Sequence, residues 1–136
     1  MSAPPRFMSR SEAAVIRQHI DALIENEHEV RGVLVSTGDG FQVASNLPPE
    51  LSEEKLSAMA SSMLAINEAV CRETALGNCR DLIIEASAGR ILLMDIPHPA
   101  HKLVLTVLCH AKVAMGQVWW SARGCRESLA RIFQTV

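Results

Sequence analysis

The 136-residue chain has no tyrosine, and its only aromatic rings besides histidine are three phenylalanines and two tryptophans. Its core must therefore be built from Leu, Ile, Val, Ala and Met, and the ring platforms that stack sugars or bases have little material here. Neither sign of charge is in excess. Thirteen basic and 15 acidic side chains give a formal net charge of -2, with no cationic surplus for releasing counterions from a nucleic acid. No stretch reaches the roughly 18 uninterrupted apolar residues of a membrane-spanning helix. Residues 1–8 contain Pro4 and Pro5 but no apolar run, so they lack the pattern of a secretory signal. No nucleic-acid partner and no membrane insertion are expected, and the location is expected to be cytoplasmic.

Cys71, Cys79, Cys109 and Cys125 form no C-x-x-C pair and read as small buried hydrophobes in a reducing compartment. The phosphate-cradling patterns G-x-x-x-x-G-K-[ST] and G-x-G-x-x-G are missing, as is the nucleophile elbow G-x-S-x-G. His98 and His101 form H-x-x-H, but on a Pro-containing loop. Cys109 and His110, adjacent on a strand, point to opposite faces, so loop solvation explains these histidines better than a metal does. Glu53-Glu54 suits the positive end of a helix dipole better than an acid and base pair. No catalytic residue, cofactor or metal ligand is assigned, and the chain is read as non-enzymatic.

What is present organises into eight elements. Ser9 and Glu12 make an S-x-x-E capping box before Ile16, Ile20, Leu23 and Ile24, which predicts a helix over 9–26. Residues 30–37 are rich in β-branched side chains, turn at Gly38-Asp39-Gly40 and resume alternation over 41–45, as a hairpin does. Pro48-Pro49 closes that hairpin, and Ser52 caps a long helix running to about Leu76, stopped by Gly77-Asn78. Three apolar strands are predicted over 81–87, 90–97 and 102–110. From Val113 onward, Val118, Ala122, Cys125, Leu129 and Ile132 trace one face of a closing helix. The fold class is α/β in the broad sense, an α+β layout in the order α-β-β-α-β-β-β-α. Residues 1–8 are expected to be a flexible start and residues 9–136 a single domain.

This order, with Val33-Leu34-Val35-Ser36-Thr37-Gly38-Asp39-Gly40-Phe41-Gln42-Val43-Ala44-Ser45, resembles the Roadblock dynein-light-chain family, whose first hairpin reads as an apolar run, D-G, then apolar-A-S. Met59-Ala60-Ser61-Ser62-Met63-Leu64-Ala65-Ile66 is similar to that family's small-residue central helix. Leu82-Ile83-Ile84-Glu85 and Gly89-Arg90-Ile91-Leu92-Leu93 are similar to its third and fourth strands. The resemblance covers about residues 16–133. It implies a five-stranded antiparallel sheet and a homodimer in which the third strands pair edge to edge and the central helices lie side by side. It also implies a partner: prokaryotic members typically regulate small Ras-like GTPases, and eukaryotic relatives serve as dynein light chains or scaffolds. The expected function is a homodimeric regulator or adaptor of such a GTPase, the alternative being a scaffold with no effect on nucleotide turnover.

Within the central helix, Leu56, Met59, Met63, Ile66 and Val70 form a large apolar stripe that is expected to pack on the sheet. Ala58, Ser62, Ala65 and Ala69 form a small-residue stripe, which admits close approach of a second copy or a partner. Arg72 is placed at the rim of that surface, and Arg123, Arg126 and Arg131 are read as rim or solvated charge. Leu82, Ile83, Ile84 and Glu85 are placed at the dimer seam, because an unpaired edge strand needs covering. Of the neighbours Trp119 and Trp120, one belongs inside, since consecutive helical residues diverge by about 100°.

Overall fold

The computed structural model describes residues 5, 7–111 and 114–134. Helix α1 spans Arg10–Asn26 and starts where the capping box requires. The Glu12 N–H donates to Ser9 Oγ at 3.1 Å and the Ser9 N–H donates back to Glu12 Oε1 at 3.2 Å. Its inward residues Ile16, Ile20 and Leu23 recur at helical spacing. Strands β1 (Val30–Thr37) and β2 (Gln42–Asn46) form the predicted hairpin, turned at Gly40, whose φ of +97° favours glycine.

Helix α2 (Glu53–Glu73) is capped by Ser52, whose side chain accepts the Lys55 N–H at 3.2 Å. It stops short of Leu76. Ala75 (φ +56°) and Gly77 (φ +89°) swing the chain away, and the Leu76 N–H closes the turn on the Cys71 carbonyl at 2.9 Å. Strands β3 (Asp81–Ala86), β4 (Gly89–Ile96) and β5 (Leu103–His110) follow, then α3 (Met115–Gln134). Val113, where the last helical segment was expected to begin, lies outside the described residues.

All strand pairs are antiparallel, in the order β2-β1-β5-β4-β3. Two strands arising far apart in the chain, β1 and β5, thus meet at the centre, while β2 and β3 form the edges. A side chain at Gly89 would place its Cβ 2.7 Å from the Cys109 carbonyl oxygen, so the β3–β4 turn lies hard against β5.

The two faces of the sheet are covered unequally. Val33, Val35, Leu92, Met94, Leu103, Leu105 and Val107 pack with the apolar stripes of α1 and α3 into the main core. Two side chains from α3 hold the end of α1 to that core: buried Glu27 accepts from Gln117 Nε2 at 3.0 Å and from the Ser121 hydroxyl. These hydrogen bonds, Ser121's foremost, hold the Glu27 carboxyl below its ordinary value. On the opposite face only Ala60, Leu64, Leu93 and Val104 form a buried apolar cluster.

Of the segment expected to be a flexible start, residues 1–4 and 6 lie outside the described residues, whereas Met8 is buried in the main core. The histidine loop also departs from simple solvation. Phe7 stacks on His101 with ring centroids 3.8 Å apart, and half-buried His98 packs on Phe133 at 4.7 Å. Apolar rings at the sheet end attract the imidazoles, whose sequence position shows only a polar loop.

Leu105 is fully buried in the central strand. Leu105→Ala is expected to cost about 2–5 kcal/mol by loss of transfer free energy and cavity formation, seen as a lower urea midpoint with an unchanged denaturant slope.

Candidate protein interface

Helix α2 turns its small side toward the sheet. Ser57, Ala60 and Leu64 are its buried residues, and Met63, Asn67 and Cys71 are half-buried on the flank nearer β3. Its larger stripe does not pack on the sheet as expected: Leu56 and Met63 are half-buried, but Met59, Ile66 and Val70 are 56%, 64% and 52% exposed. The physical reason is the inner face's composition. Ser57 and Ala60 let the helix axis settle close to Ser36, Val104 and Thr106 on the strands, and that rotation carries the bulkier residues outward.

The outcome is an outer helix face without charge from Lys55 to Arg72. Ala58, Met59, Ser62, Ala65, Ile66, Ala69 and Val70 are all exposed along it, and Arg72 closes it as an exposed rim. Glu68, at the side of the helix, is held by an ion pair with Lys102. The four small residues singled out from sequence are therefore on the surface, on the shoulder nearer the β1–β2 turn. There Gly40 approaches the Ala58 backbone, and exposed Phe41 extends the apolar area.

On the other shoulder lies β3, which among the described residues is bonded to β4 alone and is open along its outer edge. Leu82 and Ile84 point to the α2 side and are half-buried with Met63 and Ile91, while Ile83 faces the α1/α3 side and is 40% exposed; Glu85 is exposed. Leu82 and Ile84, two of the predicted seam residues, thus line one apolar corner with the large stripe of α2, which was expected on the sheet instead. Ile83 stands on the opposite face of the strand.

Two polar features that sequence reasoning missed brace this corner from behind. Arg126, read from sequence as rim or solvated charge, is buried and donates to Asp81 Oδ1 at 2.8 Å. The nearby Asp95 is half-buried on β4. Burial raises its carboxyl above the ordinary value, Arg126 opposes that shift, and the Asp81 charge reinforces it. Only long-range pairing of β3 with β4, and of α3 with the sheet, brings these groups together, so no local motif announces them.

A polar cleft of about 510 Å³ lies at the other end of α2, lined by Gln42, Pro48, Pro49, Ser52, Glu53 and Glu54 among others. Glu53 there accepts the Ser45 hydroxyl, consistent with its place at a helix N-terminus rather than as half of an acid and base pair. Among the described residues no group of three or more His, Cys, Asp or Glu side chains is placed to hold a metal ion, and no helix is long and apolar enough to cross a membrane. On α3, Trp119 packs against the core and Trp120 is 75% exposed.

Three helices on a five-stranded antiparallel sheet, with one helix alone on its face, define a Roadblock-type α/β fold. The Roadblock/LC7 domain family model matches residues 17–108, and the chain belongs to that family. Uncharacterized protein MJ1340 of Methanocaldococcus jannaschii is 30% identical over 104 residues, which span 76% of this chain and 88% of that protein. MglB of Myxococcus xanthus superposes with a TM-score of 0.83 at 15% identity, over 94% of each chain. The Roadblock/LC7 domain from Streptomyces avermitilis gives a TM-score of 0.78 at 15% identity, over 88% of this chain and 98% of that one. At these identities the likeness to the solved structures is one of fold.

Asp95 generates a pH prediction. A carboxyl whose pKa is raised in the fold binds its proton more tightly there than in the unfolded chain, so stability falls as pH climbs from the ordinary value of 3.8 through the raised one and stays reduced at neutral pH. Asp95→Asn should therefore have a higher urea midpoint than the parent at pH 7, and the gain should shrink toward pH 3.8 and vanish well below it. An equal gain at both pH values would show that charge is not the cause.

Proposed function

We propose that this protein is a non-enzymatic homodimeric regulator or adaptor that binds a small Ras-like GTPase and modulates its GTP hydrolysis. The observation that carries the reading is the charge-free outer face of α2 beside the open edge of β3. A continuous apolar area of that kind marks a contact surface, and an unpaired edge invites a strand from another chain.

The two shoulders of α2 suit two different contacts. Met59, Ile66 and Val70 border the corner that continues onto Leu82 and Ile84, and a dyad-related copy placed there would pair β3 with β3 and bury both large stripes. That leaves Ala58, Ser62, Ala65 and Ala69, with Phe41 beside them, as a shallow surface of small side chains on which a second protein's backbone can lie closely. The choice of a Ras-like GTPase as that protein follows from the family, as the sequence resemblance implies. With no phosphate-binding motif of its own, the chain would act by favouring one switch conformation of the bound GTPase.

Two substitutions separate the contacts. Ile66→Asp places a charge in the large stripe and should weaken dimerisation at least tenfold, equivalent to about 1.4 kcal/mol, read as monomer mass in sedimentation. Ala65→Arg should keep the dimer mass and circular dichroism of the parent while abolishing capture of a small Ras-like GTPase from the same organism and any effect on its GTP turnover. Dimer mass unchanged by Ile66→Asp would remove the large stripe from the interface, and unchanged GTPase capture by Ala65→Arg would do the same for the small one. Retained binding by the parent protein without any change in hydrolysis would make it a scaffold.

A further inference from the structure

Cys71 and Cys79 are separated in sequence but meet in the fold. Asn67 and Cys71 are one turn apart on the same side of α2. Asn67 Nδ2 donates to Cys79 Sγ, and Cys71, the next residue along that side of the helix, is near enough to add to the upward push on the Cys79 thiol. Neither is the buried hydrophobe that the sequence suggested: both are half-buried, whereas Cys109 and Cys125 sit in the main core. Burial pushes those two thiols up to about 11, which leaves them almost wholly unreactive at neutral pH.

The connection between the paired cysteines can accommodate a shorter sulfur-to-sulfur distance. Residues 74–78 are exposed throughout, two of them, Ala75 and Gly77, have positive φ, and nothing lies within 4 Å of where a Gly77 side chain would be. Adjustment of that exposed turn would bring the two sulfurs to bonding geometry without disturbing the sheet.

We propose that Cys71 and Cys79 are a reversible dithiol–disulfide pair, oxidised by a peroxide, that staples the end of α2 to the approach of β3. The Cys71 thiolate attacks one peroxide oxygen, the O–O bond breaks, and the departing hydroxide takes a proton to leave as water. The resulting Cys71 sulfenic acid is attacked by the Cys79 sulfur: an S–S bond forms, the S–O bond breaks, and the second oxygen leaves as water with the Cys79 proton. Two thiols lose two electrons in total and the peroxide gains them. Cys71 takes the first step because burial, assisted by Cys71 itself and by Asp81 and Asp95, pushes the Cys79 thiol up. The staple joins the two elements that the proposed dimer would use, so its effect on dimerisation rests on that reading. The cross-link itself does not.

The test uses the full chain, reduced and then exposed to hydrogen peroxide. Non-reducing peptide mapping should find residues 71 and 79 linked within one chain, with two of the four thiols lost, the mass two hydrogens lower, and the change reversed by dithiothreitol. The unfolding temperature should rise by a few degrees, and Cys71→Ser or Cys79→Ser should abolish both the link and the rise. Thiol loss without that link, a link between chains, or one involving Cys109 or Cys125 would overturn the pair. In sedimentation, the oxidised dimer should dissociate several-fold less readily than the reduced one. A cross-link that forms and leaves dimer affinity unchanged would refute the coupling to the interface and leave the cysteine pair standing, and a protein monomeric in both states would refute the dimer instead.

Discussion

A five-stranded sheet is roughly 19 Å across and a helix with its side chains about 10 Å, so covering one face takes two helices. This chain supplies three for two faces. Helices α1 and α3 share one face and bury a large aliphatic core against it, which leaves α2 alone over the other, lying above β1, β5 and β2. The half-covered residues toward the far edge, Leu82, Ile84 and Ile91, are the direct result of that shortage.

The same shortage explains how α2 is held. Its inner contacts are few and include Ser36, Ser57 and Thr106, whose buried hydroxyls have no hydrogen-bond partner among the described protein atoms. Polar clips along the helix add to the thin apolar cluster: Ser45 to Glu53 at the start, and Asn67 to Cys79 and Lys102 to Glu68 from neighbouring residues in its second half. A helix attached this way keeps Met59, Ile66 and Val70 exposed on its outside in the single chain. Any partner that covers those residues would add to the stability of the helix by mass action.

How much of this could be read from the sequence depends on the range of the interaction responsible. Ser9 with Glu12, Gly38 to Gly40, Ser52 and the alternating strands are local signals, and they placed every element to within a few residues. The edge position of β3 followed from resemblance and from its need for a partner. The rotation of α2 did not follow, because periodicity ranks residues by size and hydrophobicity, and Met59, Ile66 and Val70 outrank Ser57 and Ala60. The Asp81–Arg126 pair, the Glu27 clasp and the meeting of Cys71 with Cys79 depend on tertiary packing, which spacing alone does not encode.

The central position of β5 also has a kinetic consequence. β1 finds its inner neighbour only when residues 103–110 exist, so the early hairpin must wait through most of the chain's synthesis with its inner edge unpaired. Closing the loop between β1 and β5 is the most non-local strand pairing in the sheet, and it places this protein among chains whose folding rate is governed by topology rather than by helix formation. Until that pairing forms, the β1–β2 ribbon offers a bare inner edge to any neighbouring nascent chain, and during that interval aggregation competes with folding.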